Sequence, residues 1–234
     1  MTKDKYVAFI PVRGGSKSIP LKNIKKIAGQ PLVYWTIDAA VNAKKIDKVY
    51  ISTDSEDIRK IVGKYSKKNK SKLQVISRSE ETATDTASTE SAMLEFANNY
   101  EFENIILIQA TSPLLTTQDL EEGIKKHESK KFDSILSVVL QKRFLWKPIK
   151  NGVTTPTNYD YMNRPRRQNF EGFLVENGAF YINSKKNLLK TKNRLFGKIG
   201  YQEMNENSYC EIDEPCDWVI VEKLIREKYK MNKK

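Results

Sequence analysis

Five short apolar runs alternate with amphipathic stretches over the first 140 residues, and this alternation constrains the fold more than any other feature of the sequence. The continuous apolar run at 105–108 is typical of a strand that is covered on both faces. Strand–helix alternation predicts a mostly parallel sheet in which ligands bind beyond the carboxyl ends of the strands. The predicted strands are 6–11, 48–52, 73–76, 104–109 and 134–139, and the predicted helices are 31–43, 56–67, 89–98 and 117–127.

The alternation breaks between about Gln141 and Asn177. This stretch contains three prolines and an Asn-Gly pair, and it has no helical period. A long irregular segment inside a compact chain is usually functional or an interaction arm. A strand at 179–182 and a closing helix at 214–228 then complete the pattern. We find no internal repeat and no linker, so the sequence predicts one domain, 1–234, with an inserted arm at about 141–177.

The composition is that of a soluble globular protein, with 39% hydrophobic and 30% charged residues. No apolar run approaches the roughly 18 residues that a membrane helix needs. The first apolar run is too short for a signal-peptide core and lacks a small-residue cleavage site, so we expect a cytoplasmic protein that binds no membrane. The two cysteines do not indicate a disulfide framework, and with the distant His127 they make a poor zinc site.

The net charge is +12, from 41 Lys and Arg against 29 Asp and Glu. Such a charge fits either a surface that binds nucleic acid or a solvated lysine-rich surface around a site for anionic small molecules. The lysines are scattered over helix faces and turns without interleaved aromatic residues. This pattern favours the second interpretation, and we expect no nucleic-acid partner.

A glycine-rich segment, 11–23, directly follows the first predicted strand. Its paired glycines allow a ligand to approach the backbone closely, and consecutive N–H groups can form an anion-binding nest. The side chains of Arg13, Lys17 and Lys22 add positive charge for a polyphosphate. The segment matches neither the P-loop nor the dinucleotide fingerprint. Its position predicts phosphate binding, and the alternative is a glycine-rich turn with solvated lysines.

Three further segments combine polar residues with a position at the predicted ligand-binding edge or in the arm. Small residues at 78–89 could expose backbone groups to a base edge, or Ser88 or Thr89 could simply cap the next helix. Polar side chains at 109–115 follow the fourth strand, where they would face the site or form a capped turn. The arginines at 163–168 suit carboxylate recognition, and the alternatives are a basic loop or an interface anchor.

Two carboxylates precede the last predicted helix. In a strand, Glu211 and Asp213 would point to the same face and offer two oxygen ligands for Mg²⁺ near phosphates. The alternative is that Asp213 caps the helix, with Pro215 in its first turn, and the two roles could coexist.

Taken together, these segments resemble the acylneuraminate cytidylyltransferases, also called CMP-sialic acid synthetases, over residues 8–224. The stretch 143–177 is most similar to the animal-type branch of this family, which also has bacterial relatives. The motifs that carry the resemblance are Arg13-Gly14-Gly15-Ser16-Lys17, Ile19-Pro20-Leu21-Lys22-Asn23, Ser52-Thr53-Asp54, Gln109-Ala110-Thr111-Ser112-Pro113, Arg164-Pro165-Arg166-Arg167-Gln168 and Glu176-Asn177-Gly178-Ala179-Phe180-Tyr181.

The resemblance implies site residues by position. It assigns the phosphates and ribose of CTP to Arg13, Gly14, Gly15, Ser16, Lys22 and Asn23. It assigns cytosine and ribose to Arg78 and the 86–89 segment, with Thr86, Ala87 and Thr89. It assigns the sugar to Gln109, Lys147, Arg166, Gln168, Glu176, Asn177 and Tyr181.

The resemblance also implies the metal site and the catalytic residues. Asp213 matches the family's metal-binding aspartate. Glu211 stands where the family usually has aspartate, and its longer side chain allows it to act through water. The residues with catalytic roles would be Arg13, Lys22 and Asp213. Val175 stands where some bacterial members have an arginine, which leaves Arg166 to bind the sugar carboxylate.

The implied fold is a three-layer Rossmann-like α/β domain with a mostly parallel sheet and a protruding dimerisation arm, in a homodimer or a dimer of dimers. In the implied reaction, the anomeric hydroxyl of a nonulosonic acid attacks the α-phosphate of CTP, with Mg²⁺ or Mn²⁺ bound. The expected sugar is an N-acylneuraminic acid. The alternatives are its deaminated relative, legionaminic or pseudaminic acid, or 3-deoxy-manno-octulosonate. Outside this class, the alternative is a basic nucleic-acid-binding protein.

Overall fold

The computed structural model describes residues 3–16, 18–65 and 70–231, so Lys17 of the glycine-rich segment lies outside the described residues. The strands are β1 (Asp4–Pro11), β2 (Lys26–Ile27), β3 (Gln30–Pro31), β4 (Lys48–Thr53), β5 (Leu73–Ser77), β6 (Phe102–Ile108), β7 (Ser134–Gln141), β8 (Trp146–Pro148), β9 (Thr154–Pro156), β10 (Phe173–Ser184) and β11 (Ile199–Glu203). The helices are α1 (Leu32–Asn42), α2 (Glu56–Gly63), α3 (Glu80–Ala83), α4 (Thr89–Asn99), α5 (Thr117–Glu128), α6 (Lys185–Thr191) and α7 (Pro215–Met231).

The central sheet has seven strands in the order β11-β7-β10-β6-β1-β4-β5. The pairs β1–β4, β1–β6, β4–β5 and β7–β11 are parallel, whereas β10 runs antiparallel to both β6 and β7. The predicted mostly parallel sheet is therefore confirmed. The chain from Ile105 to Ile108 is fully buried, as expected for a strand with other strands at its sides and helices on both faces.

Helices cover both faces of the sheet, which produces three layers. Alternate residues of β1 point to opposite faces, so Ala8 and Phe9 belong to different apolar clusters. Ile37 of α1 and Ile124 of α5 pack in the cluster of Ala8. Phe96 of α4 packs in the other, where its ring stacks on the ring of Phe9 at 4.8 Å between centroids.

Helix α7 packs against α1 in a third apolar cluster, which contains Trp35, Trp218 and Ile212. Ile212 is fully buried, and its N–H donates to the carbonyl of Thr111 after β6 at 3.0 Å. This anchor holds the segment before α7 next to the carboxyl end of β6. Residues 210–213 are irregular in the structure, so the prediction that Glu211 and Asp213 share one face of a strand is wrong.

The sequence analysis did not predict β11 and α6, and it placed the bounds of the irregular segment differently. Strand β11 lies at the sheet edge, where only alternate residues are buried, and α6 is a helix of only seven residues. The irregular segment is also shorter than the predicted 141–177, because Gln141 already pairs with Phe173 in the sheet. The pairing register of β10 shifts between Glu176 and Tyr181, and this irregularity hides the strand's periodicity in the sequence.

The segment 142–172 forms an arm whose described residues are all exposed or only partly buried. It contains the β8–β9 hairpin and a group of aromatic rings in which Phe144 contacts Tyr159 and Phe170. Trp146 and Met162 of the arm are 46% and 74% exposed. Exposed apolar groups at this density are typical of a surface that contacts another molecule. Within the described parts of the chain, no helix has both the length and the hydrophobicity that a membrane span requires.

Gly123 of α5 allows the helix to lie close to β10. A Cβ at this position would lie 2.7 Å and 2.9 Å from ring atoms of Phe180, which is fully buried. We expect Gly123→Ala to lower the free energy of unfolding by about 1–3 kcal/mol, because a packed ring has no space to move into. Gly63→Ala is the control, since a Cβ there would meet nothing within 4 Å. A thermal melt in which both variants match the wild type would contradict this packing.

Candidate active site

A cavity of about 270 Å³ lies where β1 and β6 end and where the chain leaves β5. Three segments that are far apart in the sequence line it, as expected for the carboxyl edge of a parallel sheet. The lining residues are Pro11, Arg13, Gly15, Ser16, Lys22, Asn23, Arg78, Thr84, Asp85, Ala87, Thr89, Gln109, Ala110 and Thr111. Nine of the residues predicted for the site are among them, namely Arg13, Gly15, Ser16, Lys22, Asn23, Arg78, Ala87, Thr89 and Gln109.

The glycine-rich segment is fixed to the rest of the site by backbone contacts. The N–H of Gly14 donates to the carboxylate of Asp54 after β4 at 2.9 Å, and a Cβ on Gly14 would lie 2.9 Å from Cβ of Ser55. The side chain of Asn23 donates to the carbonyl of Arg13 at 3.2 Å. Gly14 is therefore needed for close packing against the β4–α2 turn. In this structure its N–H is already bonded within the protein.

The guanidinium of Arg13 reaches across the cavity to the loop before α4. It donates to the carboxylate of Asp85 at 2.7 Å and to the carbonyl of Thr84 at 3.2 Å. About a third of the Arg13 side chain is exposed, and an ion pair of this kind is worth little in water. An anionic ligand that enters the cavity can therefore take the place of Asp85. The sequence prediction included this loop but not Asp85.

Arg78 lies partly buried at the side of the cavity. Burial lowers the pKa of its guanidinium, although the carboxylates of Asp54 and Glu95 act in the opposite direction. One terminal nitrogen donates to the carbonyl of Thr82, but the buried Nε has no hydrogen-bond partner in the described part of the chain. A buried donor without a partner costs free energy, so Arg78 is suited to a ligand acceptor.

The loop before α4 both caps that helix and lines the cavity, which are the two roles predicted for it. Ser88 caps α4 by accepting a hydrogen bond from the N–H of Ser91 at 3.1 Å, which confirms the capping alternative for this residue. Ala87 and Thr89 line the cavity on either side of the cap. The structure does not bring Thr86 to the lining, and its hydroxyl lies 3.5 Å from the hydroxyl of Thr84.

Lys22 connects the glycine-rich segment to the two carboxylates before α7. Its Nζ donates to the carbonyl of Ile212 at 2.8 Å and lies 3.4 Å from the carboxylate of Asp213. The N–H groups of Asp213 and Glu214 donate to the carboxylate of Asp217 at 3.0 Å and 2.8 Å. Asp217 therefore stabilises the start of α7, a role that the sequence analysis gave to Asp213. The carboxylate of Asp213 is left 71% exposed beside the cavity residue Lys22.

Glu211 lies against Gly178 of β10. A Cβ on Gly178, which has φ +65°, would be 2.7 Å from the carboxylate of Glu211. Burial, followed by the nearby charges of Asp213 and Glu176, raises the pKa of Glu211 to about 7. A cation beside this carboxyl group would compensate the charge that burial disfavours and would favour the ionised form.

The oxygen donors near Lys22 fit a divalent cation shared with a polyphosphate. Mg²⁺ usually takes one or two carboxylates, together with phosphate oxygens and waters, rather than an all-protein set of ligands. Asp213 and Glu211 supply two carboxylates beside a cationic cavity. Among the described residues there is no cluster of three or more metal-binding side chains.

Tyr181 and Glu176 form a pair on β10. The phenol of Tyr181 donates to the carboxylate of Glu176, and burial, together with this bond, raises the pKa of Tyr181. Asn177, between them, is 1% exposed, and its amide donates to the carbonyl and the hydroxyl of Ser208 at 3.2 Å. The structure thus places Asn177 in the scaffold, where it holds β10 to the segment before Glu211.

Three predicted sugar-binding residues lie on the arm. Lys147 is in β8, while Arg166 and Gln168 belong to the turn around 167–169. All three are exposed, and none lines the cavity of the same chain. Within one chain, therefore, the structure does not bring them together with Gln109 and Tyr181.

Comparisons with known proteins were made on both sequence and structure. A family model described as "Cytidylyltransferase" matches residues 7–233. "N-acylneuraminate cytidylyltransferase" from Oncorhynchus mykiss is 40% identical over 227 residues, which cover 95% of this chain and 51% of that protein. The chain thus spans about half the length of these curated relatives. "CMP-N,N'-diacetyllegionaminic acid synthase" from Legionella pneumophila is 27% identical over 94% of this chain and 96% of its own length.

The solved structures include a similar fold. CMP:2-keto-3-deoxy-manno-octonic acid synthetase complexed with CTP superimposes with a TM-score of 0.69 at 16% identity. The match covers 96% of this chain and 99% of that chain. At this identity the likeness shows the fold alone.

Proposed function

The chain belongs to the cytidylyltransferase family, and from that premise we propose that it joins CTP to a nonulosonic acid, giving a CMP-sugar and pyrophosphate. The observation that carries this proposal is one cavity lined by Arg13, Lys22 and Arg78, with the carboxylate of Asp213 3.4 Å from the amine of Lys22. Such a site can bind a polyphosphate, a base and a divalent cation at once.

The proposed chemistry depends on positioning and on charge neutralisation. The anomeric hydroxyl of the sugar forms a bond to the α-phosphorus of CTP and loses its proton to water. The bond from this phosphorus to the oxygen that bridges it to the β-phosphorus breaks, and pyrophosphate leaves. Arg13 and Lys22 donate to phosphate oxygens on which negative charge accumulates. Asp213, and Glu211 directly or through water, would hold Mg²⁺ or Mn²⁺, which supplies further charge neutralisation at the phosphates when bound. Arg78, whose buried Nε has no partner in the described chain, would bind the cytosine.

The sugar would lie between Gln109 and the Tyr181–Glu176 pair. We propose that the arm of a second subunit completes this part of the site in a homodimer or a dimer of dimers. The exposed apolar side chains of the arm, such as Trp146 and Tyr161, support an interface between copies of the chain. The arm residues Lys147, Arg166 and Gln168 would then approach the partner's cavity. The proposed location is the cytoplasm, which the free thiols of Cys210 and Cys216 support.

A pyrophosphate-release assay with CTP, Mg²⁺ and a panel of sugars tests the function. The panel contains N-acetylneuraminic acid, its deaminated relative, legionaminic acid, pseudaminic acid and 3-deoxy-manno-octulosonate, with UTP replacing CTP as the control nucleotide. We expect N-acetylneuraminic acid or its deaminated relative to react fastest. Preference for the eight-carbon sugar would overturn the sugar assignment. Inactivity throughout, with salt-dependent binding to duplex DNA, would favour the nucleic-acid alternative.

Arg166→Lys is expected to raise the KM for the sugar while the KM for CTP changes little. Lysine keeps the charge but loses the planar fork that binds a carboxylate through two hydrogen bonds, so a rise of about tenfold is expected. Arg167→Lys is the control, because Arg167 is exposed and lies 3.9 Å from Glu206. An unchanged sugar KM in Arg166→Lys would remove Arg166 from the site.

Mixing two inactive variants tests whether Arg166 acts in the partner's site. Arg13→Ala removes the proposed phosphate contact in the cavity, and Arg166→Ala removes the proposed arm contact. Random pairing makes about half of the dimers heterodimers, and one of the two sites in each heterodimer has both residues intact, so about a quarter of wild-type activity should return. If Arg166 served its own chain, every site would lack one of the residues and the mixture would stay inactive.

A further inference from the structure

Arg194, which follows α6, contacts a residue next to the nucleotide cavity and one of the proposed sugar-binding residues. It does not itself line the cavity. Its Nε and one terminal nitrogen donate to the two carboxylate oxygens of Glu90 at 2.5 Å and 3.1 Å. Glu90 is in the first turn of α4, next to the cavity residue Thr89. Only 22% of the Arg194 side chain and 20% of the Glu90 side chain are exposed. A partly buried ion pair that has two parallel hydrogen bonds holds its geometry far better than a single exposed contact does.

The same guanidinium also lies over the ring of Tyr181. The central carbon of the guanidinium is 5.0 Å from the centroid of the tyrosine ring, which is the geometry of a cation–π contact. The ring is 3% exposed, and its hydroxyl donates to Glu176. Arg194 thus contacts Glu90 and Tyr181 at the same time. A lysine lacks the planar fork, so it cannot keep the two parallel hydrogen bonds to Glu90 while it lies over the ring.

From these contacts we infer that Arg194 is a positioning residue for the sugar half of the site. It fixes the ring of Tyr181 against β10 and ties it to α4, whose first residue borders the nucleotide cavity. The inference rests on the proposed function, because Tyr181 is the proposed sugar contact. A residue that only anchored the loop after α6 would affect stability and leave the balance between sugar and CTP unchanged.

The kinetic constants of Arg194→Lys and Glu90→Gln distinguish these two roles. Both variants lose the two-fold hydrogen bond, so we expect the KM for the sugar to rise about tenfold and kcat to fall several-fold, with CTP affinity within about twofold of wild type. Tyr181→Phe keeps the ring under the guanidinium and loses the hydroxyl, with its bond to Glu176. Its effect should overlap with that of Arg194→Lys, so the double variant should show less than the product of the two changes.

The matched control is Arg226→Lys. Arg226 makes two contacts with Glu222 on the exposed surface of α7, at 2.6 Å and 3.2 Å, and neither residue lines the cavity. This variant should keep the wild-type kinetic constants. Thermal melts show whether each variant is folded, and if Arg194→Lys does not fold, Glu90→Gln and Tyr181→Phe still test the inference.

The outcomes separate the inference from the proposed function. If the wild-type protein releases pyrophosphate while the folded variants keep its sugar KM, the inference is wrong and the function stands. Equal loss of sugar and CTP binding would also overturn the inference, because it indicates general loosening of the site. If the wild-type protein is inactive with every sugar, the proposed function is wrong and the inference falls with it.

Discussion

Arg13→Ala is expected to lower kcat by about 10²–10³, the scale of losing one preorganised group that stabilises developing charge. Arg13 follows β1 directly and lies at the carboxyl edge of the sheet, where its guanidinium lines the cavity. Its present partner, the carboxylate of Asp85 at 2.7 Å, shows that the guanidinium can bind an anionic oxygen across this space. Phosphate oxygens of CTP would take the same hydrogen bonds.

Arg13→Ala should also affect CTP binding, and this effect can be measured separately from the effect on kcat. Without Arg13, the carboxylate of Asp85 is left beside the phosphates and repels them. Arg13→Ala should therefore weaken CTP binding as well as slow turnover, and Arg13→Ala combined with Asp85→Asn should recover part of the lost CTP affinity. Recovery of affinity without recovery of kcat would assign the catalytic effect to Arg13 itself.

Steady-state kinetics and CTP titrations of the three proteins, with thermal melts, provide the measurement. The variants should melt close to the wild type, because the ion pair is substantially exposed and contributes little to stability. A folded Arg13→Ala protein with near-normal turnover would show that the glycine-rich segment does not bind the reacting phosphates.

The central sheet could be predicted because its strands carry their own signal. A run such as 105–108 has to be buried on both faces, and the amphipathic stretches between the runs have to cover them. The position of β10 could not be predicted in this way. It pairs with β6 and β7, whose sequences are far from it, and its register shifts near Gly178. Strand β11 escaped prediction because Ile199 and Tyr201 are about half exposed at the sheet edge.

The site residues differ in the same way as the strands. Some are marked by their position in the local sequence, and others depend on contacts between distant segments. Arg13 and Arg78 follow predicted strands and Gln109 ends one, and topology alone requires that they meet at one edge of the sheet. Arg194 has no such signal, because its partner Glu90 is 104 residues away in the sequence and is brought to it only by the packing of α4 and α6. Asp217 was missed for a simpler reason, since Asp213 and Asp217 both stand where a helix-capping carboxylate is expected.

Asp213→Asn is expected to remove most of the Mg²⁺-dependent activity, by about 10²-fold or more, while the protein remains folded. The Asp213 side chain is 71% exposed, and the start of α7 depends on the carboxylate of Asp217. The amide loses the negative charge that a divalent cation needs but keeps the size of the side chain. Lys22 would keep its 2.8 Å bond to the carbonyl of Ile212, so the cationic side of the site should be unchanged.

Asp217→Ala is the matched control, because it should lower stability and leave the response to Mg²⁺, which is the opposite of what is expected for Asp213→Asn. It removes the acceptor for the N–H groups of Asp213 and Glu214, so the free energy of unfolding should fall by about 0.5–2 kcal/mol while the response to Mg²⁺ persists. Glu211→Gln should reduce activity less than Asp213→Asn if Glu211 acts through water. Mg²⁺ titrations of pyrophosphate release and thermal melts on all three variants separate cation binding from stability. If Asp213→Asn responds to Mg²⁺ as the wild type does, the cation is held elsewhere and Asp213 has no part in binding it.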